Sequence, residues 1–134
     1  MASIFTQIIQ GKIPCEKIFE TDKEIAFLDI MPSAKGHTLV IPKLEVVRLE
    51  ELPESLATSL MCTLQKVATA VSKAYDGTDY NLILNNGSNA GQVVNHLHFH
   101  ILPRAEGSPR PFMNHIKYEN GEMQEVGAKI RNFL

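Results

Sequence analysis

The chain contains no tryptophan and only two cysteines among its 134 residues. Cys15 and Cys62 stand outside any CxxC pairing, so in a reducing compartment they are expected as free thiols rather than a disulfide. No excess of one charge is present either. Lys and Arg number 13 against 15 Asp and Glu, and the formal net charge of −2 argues against broad nucleic-acid binding, which needs clustered cations to neutralise phosphates. A small phosphorylated ligand stays open. No apolar run approaches the ~20 residues of a membrane span, and Met1 to Gly11 is too short and too polar for a signal peptide. The expectation is a cytoplasmic protein without membrane association. Repeats and low-complexity stretches are lacking too, and 44% hydrophobic with 21% charged residues suits one soluble domain spanning 1–134.

What the chain does have is histidine in a pattern. His96, His98 and His100 alternate with Leu97, Phe99 and Ile101, and alternation is the period of a strand, so three imidazoles face one way and three apolar side chains the other. Upstream, Ser3 can cap a short helix that carries Ile4, Phe5, Ile8 and Ile9 and ends at Gly11. Lys17 to Thr21 and Glu24 to Asp29 read as a hairpin, and Thr38 to Ile41, stopped by Pro42, as a third strand. Beyond Pro53, Leu56, Leu60, Leu64, Val67, Val71 and Tyr75 recur at three- and four-residue steps until Asp76-Gly77, which predicts one long helix.

Tyr80 to Leu84 is then a fourth strand, Asn85 to Gly91 a polar loop, and Val94 to Leu102 the histidine strand, closed by Pro103. Glu106 to Pro111 reads as an irregular exposed segment, and Met123, Val126, Ile130 and Phe133 mark a C-terminal helix. Hairpin-joined strands with grouped helices predict an α+β domain on a five-stranded antiparallel sheet, with its core at 4–104 and a C-terminal extension at 105–134.

A row of three imidazoles serves a metal, a phosphate or nothing but solvent. Ligands at alternate strand positions are spread by ~7 Å per step, which makes three around one ion awkward, and no Asp, Glu or Cys stands nearby to complete a shell. The phosphate reading gains from the preceding loop. Gly87 and Gly91 let backbone N–H groups approach an anion closely, and Asn85 and Gln92 add neutral donors. Taken alone, the loop reads equally well as a hairpin turn.

His96-x-His98-x-His100-x-x, apolar at every x, resembles the signature of the histidine-triad (HIT) superfamily of nucleotidyl hydrolases and transferases. Ile4-Phe5-x-x-Ile8-Ile9-x-Gly11-x-Ile13-Pro14, Ala26-Phe27-x-Asp29-Ile30-x-Pro32, Gly36-His37-x-Leu39-Val40-Ile41-Pro42-Lys43 and Asn85-x-Gly87-x-x-x-Gly91-Gln92 resemble blocks of its Hint branch, in the same order. Two positions depart. Val93 stands where that branch commonly carries a phosphate-touching serine, and Leu102-Pro103-Arg104 is similar to the ending of the Fhit branch. Ser3 and Thr6 match the CxxC pair through which some bacterial relatives bind zinc; hydroxyls do not replace thiolates as soft ligands, so no metal is expected.

The resemblance implies a purine nucleoside phosphoramidase that cleaves adenosine monophosphate from an amine, uses no cofactor, and works as a homodimer whose sheets join. A dinucleoside polyphosphate hydrolase, a nucleotide-binding module with vestigial catalysis and a metal-binding protein are the alternatives. It assigns His98 as nucleophile on the α-phosphorus, oriented by a backbone carbonyl near the first histidine, with His96 and His37 as orienting partners and His100 as donor to the phosphate or leaving group. Asp29 becomes a candidate for the ribose hydroxyls, and Asn85, Gly91, Gln92 and Val93 for the phosphate. Phe5, Ile8, Ile13, Phe27, Ile30 and Leu39 would form the slot for the purine base. His115 matches no motif and reads as a surface residue.

Overall fold

A computed structural model describes residues 2–108 and 115–134. Ser3 caps the first helix, α1 (Ile4–Ile9), by accepting the Thr6 N–H at 3.0 Å. Extended chain then enters β1 (Lys17–Glu20), which turns back along β2 (Glu24–Leu28), and β3 (Thr38–Pro42) follows. The long amphipathic helix α2 (Glu54–Ala74) leads to β4 (Asp79–Leu84), β5 (Phe99–Arg104) and α3 (Glu122–Arg131). The strands form one antiparallel sheet in the order β1-β2-β3-β5-β4, which is the α+β architecture the pattern predicts.

Each face of that sheet has its own cover. On one side α2 lays Leu60, Leu64, Val67 and Val71 against Ala26, Leu28, Val40 and Ile101, and Val126 and Ile130 of α3 close the same core. On the other, α1 packs Phe5 with Ile25, Phe27, Leu39 and Ile41. Successive residues of β2 and β3 therefore feed opposite cores, and every residue of both strands is buried. The edge strand β4 is the contrast, with Tyr80 and Leu82 exposed.

The histidine strand begins later than the pattern predicts. Ladder pairing starts at Phe99, so His96 and His98 stand ahead of it, on chain pinned by the Leu97 N–H to the Val46 carbonyl at 2.7 Å. Alternation holds regardless. Leu97 and Ile101 lie in the α2 core with Phe99 half-buried beside them, while the rings of His96 and His98 meet Phe5 on the other side. Pro103 does not close the strand, which runs to Arg104. The β3 ladder already ends at Thr38 and Ile101, so a missing N–H at Pro103 removes no bond to β3.

The C-terminal extension is tied back to the strand loops. The Ile116 N–H donates to the Pro32 carbonyl at 2.8 Å, and the Gly36 N–H to the Tyr118 hydroxyl at 2.9 Å. Gly36 sits at φ +87, and a Cβ there would stand 2.6 Å from the Tyr75 ring, so only glycine lets the chain turn into His37 this closely. Glu106 and Gly107 form an exposed turn; positions 109–111 of the expected irregular segment lie outside the described residues. Among the described residues, no helix is long and apolar enough to cross a membrane.

Candidate active site

Four of the five histidines converge, and all four are buried. The Nδ1–H of His98 donates to the carbonyl of His96 at 2.7 Å. A carbonyl can only accept, so the proton of the neutral ring is held on Nδ1, and Nε2 carries a lone pair. Phe5 stands edge-on to this ring with centroids 5.1 Å apart, and the ring of His100 lies 4.9 Å away. The histidine face is thus lined by an aromatic wall from α1, and His98 is only 6% exposed.

His37 and His100 form a directed pair. The Ser33 N–H donates to His37 Nδ1 at 3.0 Å, so the proton of a neutral His37 lies on Nε2 and is donated to His100 Nδ1 at 2.9 Å. Neutral His100 then carries its own hydrogen on Nε2. Asp29 places Oδ2 3.4 Å from His37 Nε2 and accepts the Met31 N–H on Oδ1 at 2.9 Å. Asp29, His37 and His100 bring three ligand-type atoms within 4.8 Å of one another. Within this group His37 Nε2 and His100 Nδ1 already share a hydrogen bond, with Asp29 Oδ2 beside it.

Burial sets the protonation states. Desolvation, then the neighbouring imidazoles, push His37 down to about 3, and desolvation followed by His98 pushes His100 down to about 4. Desolvation also lowers His96 and His98, although the Pro42 and His96 carbonyls, respectively, oppose it. Asp29 moves the other way, raised by its own burial. The Asp29 to His37 contact is therefore made by a neutral imidazole near pH 7.

Linkage gives this a sign. From about pH 4 to the ordinary histidine value near 6.5, the unfolded chain takes up protons at His37 and His100 that the folded chain does not, so stability rises with pH across that window and levels off above it. Calorimetric melting temperatures should climb from pH 4.5 to about 6.5. A melting temperature independent of pH in that range would mean these rings titrate normally when folded.

The ring of His96 is held at both nitrogens. Nε2–H donates to the Pro42 carbonyl at 2.8 Å, and the Ser3 hydroxyl lies 2.7 Å from Nδ1. Thr6 and Glu45 complete the cluster, with the Thr6 hydroxyl donating to Glu45 Oε1 at 2.6 Å. Ser3 and Thr6 are thus neutral hydroxyls already hydrogen-bonded to their neighbours, a donor set that does not fit zinc.

The structure sorts the remaining expected residues. Phe5, Ile8, Phe27 and Leu39 pack together under α1, whereas Ile13 is half-buried and Ile30 is 75% exposed, both outside that cluster. Gln92 is buried and braces its loop: Oε1 accepts the Gly87 N–H, and Nε2 donates to the Val47 and Val94 carbonyls at 2.9 and 3.0 Å. Its amide hydrogens are therefore not aimed at an anion as expected. Within the loop, the N–H groups of Ala90, Gly91 and Gln92 close a 3-10 turn, and the positive φ of Gly87 and Gly91 serves that turn rather than an open cradle. Asn85 packs beside Gly91, and Val93 is 89% exposed at the loop's end. Pro103 alternates to the strand face opposite His100, in the ladder with β4 and against Gly36.

One contributor has no signal in the sequence, and a second, His115, is the surface residue expected but stands near the site. Glu45 carries no local signal beyond a lone carboxylate after β3. His115 is exposed, and it lies close enough to act electrostatically on both Asp29 and His37, so the extension brings the fifth histidine near the site. No spacing rule links residues 78 positions apart, although the chain contains few histidines and a fifth one is itself a weak signal.

The HIT domain pattern matches residues 10–107, and the chain belongs to the HIT domain family. It is 46% identical over 129 residues to an uncharacterised HIT-like protein of Methanocaldococcus jannaschii, covering 96% of this chain and 98% of that one. The adenosine 5'-monophosphoramidase hnt1 of Schizosaccharomyces pombe is 43% identical over 104 residues, 78% of this chain and 75% of the relative. Among solved structures, a Hit-like protein of Bartonella henselae superimposes with a TM-score of 0.86 at 38% identity, over 98% of this chain and 96% of that one.

Proposed function

We propose that the protein is a nucleotide hydrolase that cleaves adenosine 5'-monophosphoramidates through a nucleotidyl-histidine intermediate. The observation that carries this reading is the His98 ring, held by the His96 carbonyl so that the Nε2 lone pair is available for attack. In the first step Nε2 bonds to the α-phosphorus as the P–N bond breaks, and the departing nitrogen, hydrogen-bonded by His100 Nε2–H, takes its proton from solvent and leaves as the neutral amine. In the second, water attacks the same phosphorus, the bond to His98 breaks, the proton lost by that water returns to solvent, and adenosine monophosphate leaves. Neutral His37 keeps His100 in the donor tautomer, and Asp29 binds the ribose hydroxyls beside it. Phe5, Ile8, Phe27 and Leu39 supply the apolar side of the base slot. The relative named as an adenosine 5'-monophosphoramidase supports the substrate class.

The Leu-Pro-Arg ending weighs less for a dinucleoside polyphosphate hydrolase than the sequence suggests, because its Pro103 alternates to the strand face opposite His100. Turnover of an adenosine phosphoramidate beside a diadenosine polyphosphate tests the choice. The phosphoramidate is expected to have the higher kcat/KM; a higher value for the polyphosphate would reverse the assignment.

The single domain is proposed to act in the cytoplasm as a homodimer joined along β4, whose Tyr80 and Leu82 are exposed on an edge strand. Light scattering at micromolar protein should give twice the chain mass. A monomer mass there would contradict the shared sheet.

A further inference from the structure

Glu45 is an exposed carboxylate on the segment after β3, and the mechanism above makes no use of it. It is nevertheless the end point of a chain of hydrogen bonds into the triad. Its Oε1 accepts both the Ser3 N–H at 2.7 Å and the Thr6 hydroxyl at 2.6 Å. Those donors hold the carboxyl down to about 2. With the Thr6 proton committed to Glu45, Thr6 Oγ1 faces the cluster as an acceptor. Ser3 Oγ accepts the Thr6 N–H at 3.0 Å, and its own proton is directed to His96 Nδ1 at 2.7 Å. His96 Nε2–H is committed to the Pro42 carbonyl, which leaves Nδ1 as the nearer acceptor for the Ser3 hydroxyl, with Thr6 Oγ1 farther off at 3.3 Å.

We propose that Glu45, acting through Ser3, Thr6 and His96, is a positioning residue for His98. Two routes lead from the cluster to the nucleophile. The first is the backbone: His96 is clamped at both ring nitrogens, and its carbonyl is the acceptor that orients His98. The second is α1. The same carboxylate holds Ser3 and Thr6 at the start of that helix, and Phe5 between them packs edge-on to the rings of His96 and His98. Glu45 touches neither substrate nor the reacting atoms; it limits the freedom of the group that does. Small displacements of a reacting group cost large rate factors, so a hydrogen-bonded tie at this distance can act on turnover without altering nucleotide contacts.

The inference rests on His98 being the nucleophile, and its test separates the two claims. Wild type, His98→Ala, Glu45→Ala, Glu45→Gln and Thr6→Val are compared on an adenosine phosphoramidate, with the His98 ring followed by nitrogen NMR. Glu45→Ala and Thr6→Val should lower kcat about tenfold with KM within about twofold. In both, the His98 Nδ1–H signal should broaden or share intensity with the other tautomer. Glu45→Gln keeps an oxygen that accepts both donors and should recover kcat to within about threefold of wild type. Thr6→Val preserves side-chain shape, so it reads the hydrogen bond even if Glu45→Ala folds poorly. The proposal is overturned if folded Glu45→Ala and Thr6→Val turn over within twofold of wild type, if only KM changes, or if Glu45→Gln is as slow as Glu45→Ala. Loss of turnover in His98→Ala alone would leave the nucleophile in place and remove only the role of Glu45.

Discussion

His98→Ala should lower kcat on an adenosine phosphoramidate by at least about a thousandfold while leaving the affinity for adenosine monophosphate within about threefold. The loss is large because no other described histidine combines a ring nitrogen held by a carbonyl acceptor with a lone pair beside the His100 donor. His96 has both nitrogens engaged by Pro42 and Ser3, and His37 accepts on one and donates on the other. His98 is buried against Phe5, so truncation leaves a small cavity and some loss of melting temperature is expected as well. His98→Asn, which fills more of that space, should be as inactive and melt closer to wild type. Undiminished turnover in either folded variant would remove the nucleophile assignment.

The second large effect belongs to His100. His100→Ala should lower kcat by about a hundredfold or more, because it removes the hydrogen-bond donor that meets charge developing on the phosphoryl group and leaving amine. The loss should depend on the leaving group. A substrate whose leaving group needs no proton, such as a nitrophenolate ester of the nucleotide, should be hurt much less than an amine. Equal losses on both substrates would assign His100 to the phosphate oxygens alone.

Much of this protein is readable from local pattern because its elements obey simple periods. Ser3 capping α1, the leucine and valine spacing of α2 and the alternation around the triad each depend on neighbours within a few residues. The strand boundary at the triad was less legible. Alternating side chains specify which way residues face, whereas a ladder needs a partner, and β3 and β4 offer one only from Phe99 onward. The loop before it shows the same limit. Glycines and amides at 85–92 are compatible with an anion cradle or a closed turn, and what decides is the Val47 carbonyl, far away in sequence, which claims the Gln92 amide. Glu45 was invisible for that reason too, since its contacts with Ser3 and Thr6 span about forty residues of chain.

The central claim is that phosphorus is transferred twice, first to His98 and then to water. Each in-line displacement inverts a chiral phosphorus, so two in succession restore it. The most direct measurement is the stereochemical course of hydrolysis of an adenosine phosphoramidate made chiral at the α-phosphorus and turned over in isotopically labelled water. Net retention is the predicted result; net inversion would mean that water attacks the substrate directly and that no nucleotidyl-histidine forms.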